Sequence, residues 1–177
     1  MTPQLIIVMG VTGCGKSTLA DRLAKHYQVP LVEADDYHSD HAKFVMSKGI
    51  GLTDSERIPW LDKVKSACLS KMHTHSPVVL SCSLLKQTYR ERFRQHTFAS
   101  TFIWPNTPKS LIIERLKLRT GHFASATLLD SQFQALESPT KEKDCFEING
   151  TKSAEHQFTA SLAILNARLE TNTNETR

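Results

Sequence analysis

The most constraining stretch is Gly-Val-Thr-Gly-Cys-Gly-Lys-Ser at 10–17. It follows the apolar run Leu-Ile-Ile-Val-Met at 5–9 and precedes a segment, 16–27, with Leu19, Leu23 and Tyr27 at helical spacing. The stretch satisfies G-x-x-x-x-G-K-[ST] in full, between a strand and a helix, where the pattern has physical meaning. Gly10, Gly13 and Gly15 permit a tight loop whose backbone N–H groups converge on an anion. The helix N-terminus behind the loop adds partial positive charge. Lys16 is expected to reach the β- and γ-phosphates of ATP, and the Ser17 hydroxyl to bind Mg²⁺. Val11, Thr12 and Cys14 fill the loop and Thr18 follows it, which makes 10–18 the expected ATP-binding stretch. Cys14 sits near a helix N-terminus, so a lowered thiol pKa is expected, without a catalytic part.

The rest of the chain alternates strand and helix. Val29–Asp35 (VPLVEAD), 77–83 (PVVLSCS), 101–104 (TFIW) and 145–148 (CFEI) read as further strands. Ser39 caps an expected helix that stops at Gly49. Pro59 sits near the start of the next, about 59–73, and Ser83 is expected to cap one running to Phe93. Thr107 and Pro108 open a helix to about Arg119, another covers about 126–136, and Ser153 caps a last one ending near Leu169. Strands alternating with helices of this length imply an α/β fold, a parallel sheet covered on both faces. Residues 1–170 are expected to form one domain, and the polar 171–177 a frayed tail.

The chain has 177 residues and a formal net charge of +4, with 40% hydrophobic and 23% charged residues. It is long enough for one sizeable core, and the basic excess is too mild to call for nucleic acid. The run at 5–9 is too short to span a bilayer, so no membrane association and a cytoplasmic setting are expected. Cys14, Cys68, Cys82 and Cys145 form no CxxC pair and fit no zinc framework, so reduced thiols are expected. His38/His41 and His73/His75 lack the companions a structural metal site needs.

The phosphate loop alone does not name a reaction. No guanine-reading NKxD sequence is present, and the third strand ends in Leu-Ser-Cys-Ser where a remodelling ATPase has an acidic pair. Acids do follow the second strand, in Glu-Ala-Asp-Asp-Tyr-His at 33–38. A primary alcohol is a weak nucleophile, and a carboxylate opposite the phosphate loop can orient it and accept its proton. As strand residues, Glu33 and Asp35 would share a side and Asp36 the other. A small-metabolite kinase is the expected class.

Five blocks carry a closer resemblance: GVTGCGKST, EADDYH, GIGLTDSERIPWL, SCSLLKQTYRERFR and RTGHFASATLLDSQFQALESP. In that order they resemble the gluconokinases of the P-loop kinase superfamily, over about residues 5–140. The resemblance implies a nucleoside-monophosphate-kinase-like fold, a three-layer sandwich with strand order 2-3-1-4-5 and a helical lid over about 115–137. It implies transfer of the ATP γ-phosphate to the 6-hydroxyl of D-gluconate, and a homodimer. Asp35 matches the second Asp of the family's D-x-D and is the expected acceptor base and substrate ligand. Glu33 replaces the first and is expected to hold Mg²⁺ through water. His38, Arg57, Ser83, Lys86, Arg90 and His122 are the further expected substrate ligands, since an anionic acceptor needs positive charge and an arginine fork suits a carboxylate. Arg119 is expected to reach the γ-phosphate, and Arg115 the adenine or phosphates. Departures are Ser39 and Gly51 where Pro is usual, Ala42 for Asn and Val45 for Lys. A shikimate-type kinase and a non-catalytic nucleotide module are the alternatives; GHF with SQFQALESP argues against the first, intact Lys16, Ser17 and Asp35 against the second.

Overall fold

The run 4–8 is continuously apolar because both faces of its strand are covered. In the structure, a computed structural model describing residues 2–118 and 126–174, β1 (Gln4–Val8) is the central strand. Leu5, Ile7 and Met9 face one layer, with Trp60, Leu61, Val64 and Phe102. Ile6 and Val8 face the other, with Leu19, Leu23 and Leu165. This alternation is the period of two that a strand imposes.

Four parallel strands flank it: β2 (Leu31–Glu33), β3 (Val78–Ser81), β4 (Ala99–Asn106) and β5 (Cys145–Asn149). The order is β2-β3-β1-β4-β5, as the resemblance implies. Helices α1 (Lys16–Tyr27) and α7 (Ala154–Asn174) pack on one face. The other carries α3 (Asp54–Met72) and α4 (Gln87–Glu91). Helix α2 (Asp40–Ser47) lies between β2 and α3 in sequence, α5 (Lys109–Lys117) and α6 (Ala126–Ala135) between β4 and β5. A third apolar cluster of Val11, Cys14, Leu85, Ile112 and Leu129 underlies the phosphate loop.

Several expected boundaries move, each for a local reason. Strand β2 ends at Glu33, and Ala34–Tyr37 is a single 3₁₀ turn, so Asp35 and Asp36 are not strand residues. Helix α3 begins five residues before Pro59, at a capping box in which Thr53 and Glu56 satisfy each other's backbone N–H. Pro59 therefore lies inside the helix; the Ser55 carbonyl it leaves without a ladder donor belongs to an exposed residue. Ser83 caps nothing: α4 starts only at Gln87, whose N–H donates to Glu137 Oε2 at 2.6 Å. The expected caps Ser39 and Ser153 do accept, from the N–H groups of Ala42 (3.1 Å) and His156 (3.3 Å). Helix α7 runs through Asn174, over much of the stretch expected to fray. Among the described residues no helix is long and apolar enough to cross a membrane.

Candidate active site

The phosphate loop departs from the carboxyl end of β1. Gly15, with φ 99° and ψ 9°, closes it onto α1, a left-handed backbone that costs glycine nothing. Gly13 is required for a second reason, since a Cβ there would stand 2.8 Å from Ile112 Cγ2. Behind the loop the Cys14 thiol is buried, and burial outweighs the nearby Lys16 charge and raises its pKa. The expected lowering is thus reversed, and Cys14 serves as a small apolar residue.

Two clefts flank the loop. The first, of about 280 Å³, runs along its outer side, with Gly13, Gly15, Thr18, Arg115, Lys152 and Gln157 in its wall. Arg115 donates to the Gly150 carbonyl at 2.9 Å, which ties the end of α5 to the β5–α7 turn. Lys152 and Gln157 had no sequence signal beyond following the last strand.

The second cleft, of about 430 Å³, lies at the carboxyl ends of β2 and β3 and brings together Lys16, Asp35, His38, Arg57 and Ser83. Open α/β sheets bind ligands at this end. Asp35 keeps a largely exposed carboxylate, with Oδ1 3.8 Å from His38 Nε2. His38 is buried and stacks on Trp60, ring centroids 4.1 Å apart and planes 14° from parallel. Trp60 is fixed by donating from Nε1 to the Ala34 carbonyl at 2.9 Å. Burial lowers the His38 pKa against the pull of Asp35, and Arg57 and Lys43 lower it further, so the imidazole is neutral at pH 7. Its Nδ1 is buried without a hydrogen-bond partner among the described residues. Arg57 donates from Nε to the Leu52 carbonyl at 3.1 Å. Lys43, Met46 and Ser47 also line this cleft, at helical spacing on α2. The sequence reading missed them, though an i, i+3, i+4 set just after His38 was the available signal.

Glu33 and Ser17 fit a cation. Glu33 Oε1 is buried without a hydrogen-bond partner among the described residues, beside the hydroxyls of Ser17 and Ser81, which stand 3.4 Å apart. Burial raises the Glu33 pKa above the usual carboxylate range, against the two hydroxyls and Lys16, which favour its charged form. An acceptor-only group held in this way is completed by a bound cation or its water.

Two expected substrate ligands are engaged elsewhere. Arg90 is fully buried, and all five of its N–H donors have protein partners. Nε and Nη2 meet Glu142 at 3.0 and 2.5 Å, Nη1 meets the Leu84 and Leu85 carbonyls at 2.9 and 3.0 Å, and Nη2 also meets the Glu137 carbonyl at 3.1 Å. It is a brace for the turn after β3, where Leu84 has a positive φ of 42°. That turn presents Ser83 to the cleft, and the Ser83 carbonyl accepts from Gly10 N at 3.1 Å. Lys86 lies outside the cleft lining, with Nζ 2.8 and 2.9 Å from the two carboxylate oxygens of Asp54. Asp54 also accepts from the Tyr89 hydroxyl, and these two donors hold its carboxyl below the ordinary range. Arg119 and His122 lie outside the described residues.

The block SQFQALESP acquires physical roles. Phe133 and Leu136 pack under the phosphate loop, and Glu137 caps α4. Gln132 accepts a 2.7 Å hydrogen bond from Thr12 N and lines the second cleft. The sequence reading gave Gln132 no role.

Comparison with known proteins agrees with this architecture. Residues 5–141 match a family model described as an AAA domain. A gluconokinase of Gluconobacter oxydans is 36% identical over 156 residues, covering 86% of this chain and 85% of the relative. The thermosensitive gluconokinase of Escherichia coli is 34% identical, over 84% of this chain and 80% of the relative. The crystal structure of a gluconokinase from Sinorhizobium meliloti superposes with a TM-score of 0.84 at 34% identity, covering 99% of this chain and 98% of that one. With the phosphate loop, the strand order and the acid-bearing cleft all in place, the chain belongs to the gluconokinase family of P-loop kinases.

Proposed function

We propose that the chain transfers the γ-phosphoryl group of ATP to the 6-hydroxyl of D-gluconate, giving 6-phosphogluconate and ADP. One observation carries the reading: Lys16 of the phosphate loop and the Asp35 carboxylate line the same cleft, together with the cations Lys43 and Arg57. A carboxylate and a phosphate-binding lysine in one cleft suit phosphoryl transfer to an alcohol, and further cations in it suit an acceptor that is itself an anion.

In this reading Asp35 orients the 6-hydroxyl and accepts its proton as the O–P bond forms. His38, neutral and held by Trp60, offers a ring nitrogen to the acceptor's hydroxyls. Arg57 and Lys43 hold the carboxylate end, and Ser83 adds a hydroxyl. The 280 Å³ cleft takes the nucleoside of ATP, with Arg115 in its wall. Ser17, and Glu33 through water, would hold Mg²⁺, which offsets phosphate charge when bound. Arg119 is proposed to contact the γ-phosphate, and His122 the acceptor.

The test is ADP release by the purified chain with Mg²⁺-ATP and a panel of gluconate, other aldonic acids, shikimate and neutral polyols. The expected result is strong preference for gluconate. Turnover of shikimate in its place, or of no acid at all, would overturn the assignment.

A further inference from the structure

Gln132 stands between the two halves of the reaction site. Its Oε1 lies 2.7 Å from the Thr12 backbone nitrogen. A backbone N–H only donates, so the atom facing it is the amide oxygen and the orientation of the group is settled by chemistry. The Nε2 end of a planar amide then points away from the loop. Gln132 also lines the acceptor cleft with Asp35, His38, Arg57 and Ser83, and among the described residues Nε2 has no protein acceptor. Helix α6 also approaches the segment before α3: a Cβ on Gly51 would stand 3.3 Å from Ser131 Oγ. Gly51 precedes Leu52, whose carbonyl holds Arg57. The residue is thus fixed at one end to the phosphate loop and open at the other to the acceptor.

We propose that Gln132 is an acceptor-binding residue that also sets the phosphate loop, its Oε1 holding Thr12 N–H while its Nε2 donates to an oxygen of the bound sugar acid. The inference rests on the sugar-acid reading above. A neutral donor in the cleft that Asp35 also lines can hold a hydroxyl or carboxylate oxygen without adding repulsion. One rigid amide touching both loop and acceptor fixes their separation, the quantity on which in-line transfer depends.

Gln132→Glu separates the two ends. It keeps an oxygen for Thr12 N–H and replaces the donor with an anion facing an anionic acceptor. The measurements are ATP affinity without acceptor and the KM and kcat for D-gluconate, on the full chain. The expected result for Q132E is an ATP Kd within about 2-fold of wild type and a gluconate KM raised at least about 10-fold. Gln132→Met, uncharged and of similar length, loses both ends and should raise the gluconate KM as well; it carries the test if Q132E folds poorly. A gluconate KM within about 2-fold of wild type for the folded variants overturns the inference and leaves the substrate reading standing. A wild-type chain that turns over no sugar acid overturns both.

Discussion

Removing the carboxylate of Glu142 tests the reassignment of Arg90. The Arg90 guanidinium is fully buried and Glu142 nearly so, at 0% and 13% side-chain exposure. Burial opposes ionisation of Glu142, but Arg90 and Arg94 together outweigh it and hold the carboxyl below its ordinary range. In Glu142→Ala, Arg90 Nε loses its partner, and one of two Nη2 acceptors goes, while the carbonyls of Leu84, Leu85 and Glu137 remain. A buried charge left without its counter-ion typically costs about 3–5 kcal/mol. Arg94 also loses a partner but keeps Asp144 at 2.7 Å and is partly exposed, so it adds little. For a chain of this size each kcal/mol moves Tm by roughly 2–4 °C, so the expected drop is roughly 6–20 °C. Calorimetry of E142A measures it, and Arg90→Met in the E142A background should recover part of the loss by removing the unpaired charge. The gluconate KM of E142A should stay within about 2-fold of wild type, measured well below the variant's Tm. A Tm drop under about 3 °C, or a large KM change without one, would refute the brace and return Arg90 to the acceptor site.

Three further outcomes follow from the same geometry. Because burial depresses the His38 pKa, the unfolded chain binds that proton more readily than the folded one below its ordinary value of about 6.5. Stability should therefore fall as pH drops from about 7 toward 5, and thermal melts of His38→Gln should show a shallower fall; an unchanged slope would contradict the assignment. Glu33→Gln should raise the Mg²⁺ concentration needed for half-maximal rate several-fold, read from a Mg²⁺ titration at fixed ATP, because a neutral amide replaces the buried acceptor. Lys43→Met should raise the gluconate KM about 5–10-fold with kcat within about 2-fold, the pattern of lost binding without lost chemistry; an unaltered KM would remove Lys43 from the carboxylate end.

The sequence carried the sheet and the phosphate loop well, because a continuous apolar run and a fixed glycine spacing each have one structural solution here. Strand order entered only through resemblance, since no local period encodes which strands become neighbours. The start of α3 was legible in Thr53-x-x-Glu56, a capping box, but Pro59 is the stronger-looking signal and misplaces it. Asp35 was picked out by its match to the family's D-x-D and read as a strand residue, whereas a 3₁₀ turn presents it just after β2. Arg90 shows the limit most sharply. A basic residue in a motif reads the same whether it faces an anionic substrate or a buried Glu142 fifty-two positions away. Gln132 was missed for the converse reason: a neutral amide shows no chemistry until the Thr12 N–H stands opposite it.

The central claim is that Asp35 delivers the gluconate 6-hydroxyl to the phosphoryl group held at Lys16. The most direct measurement follows one ATP equivalent with D-gluconate by ³¹P and ¹³C NMR, for wild type and for Asp35→Asn. The account predicts that wild type forms ADP and a phosphate ester at C6 in equal amounts. It predicts that D35N binds ATP normally and loses roughly 10²–10⁴-fold in rate, the usual worth of a positioned acid–base group. Phosphorylation at another carbon, free phosphate without ester, or a near-wild-type rate for D35N would contradict it.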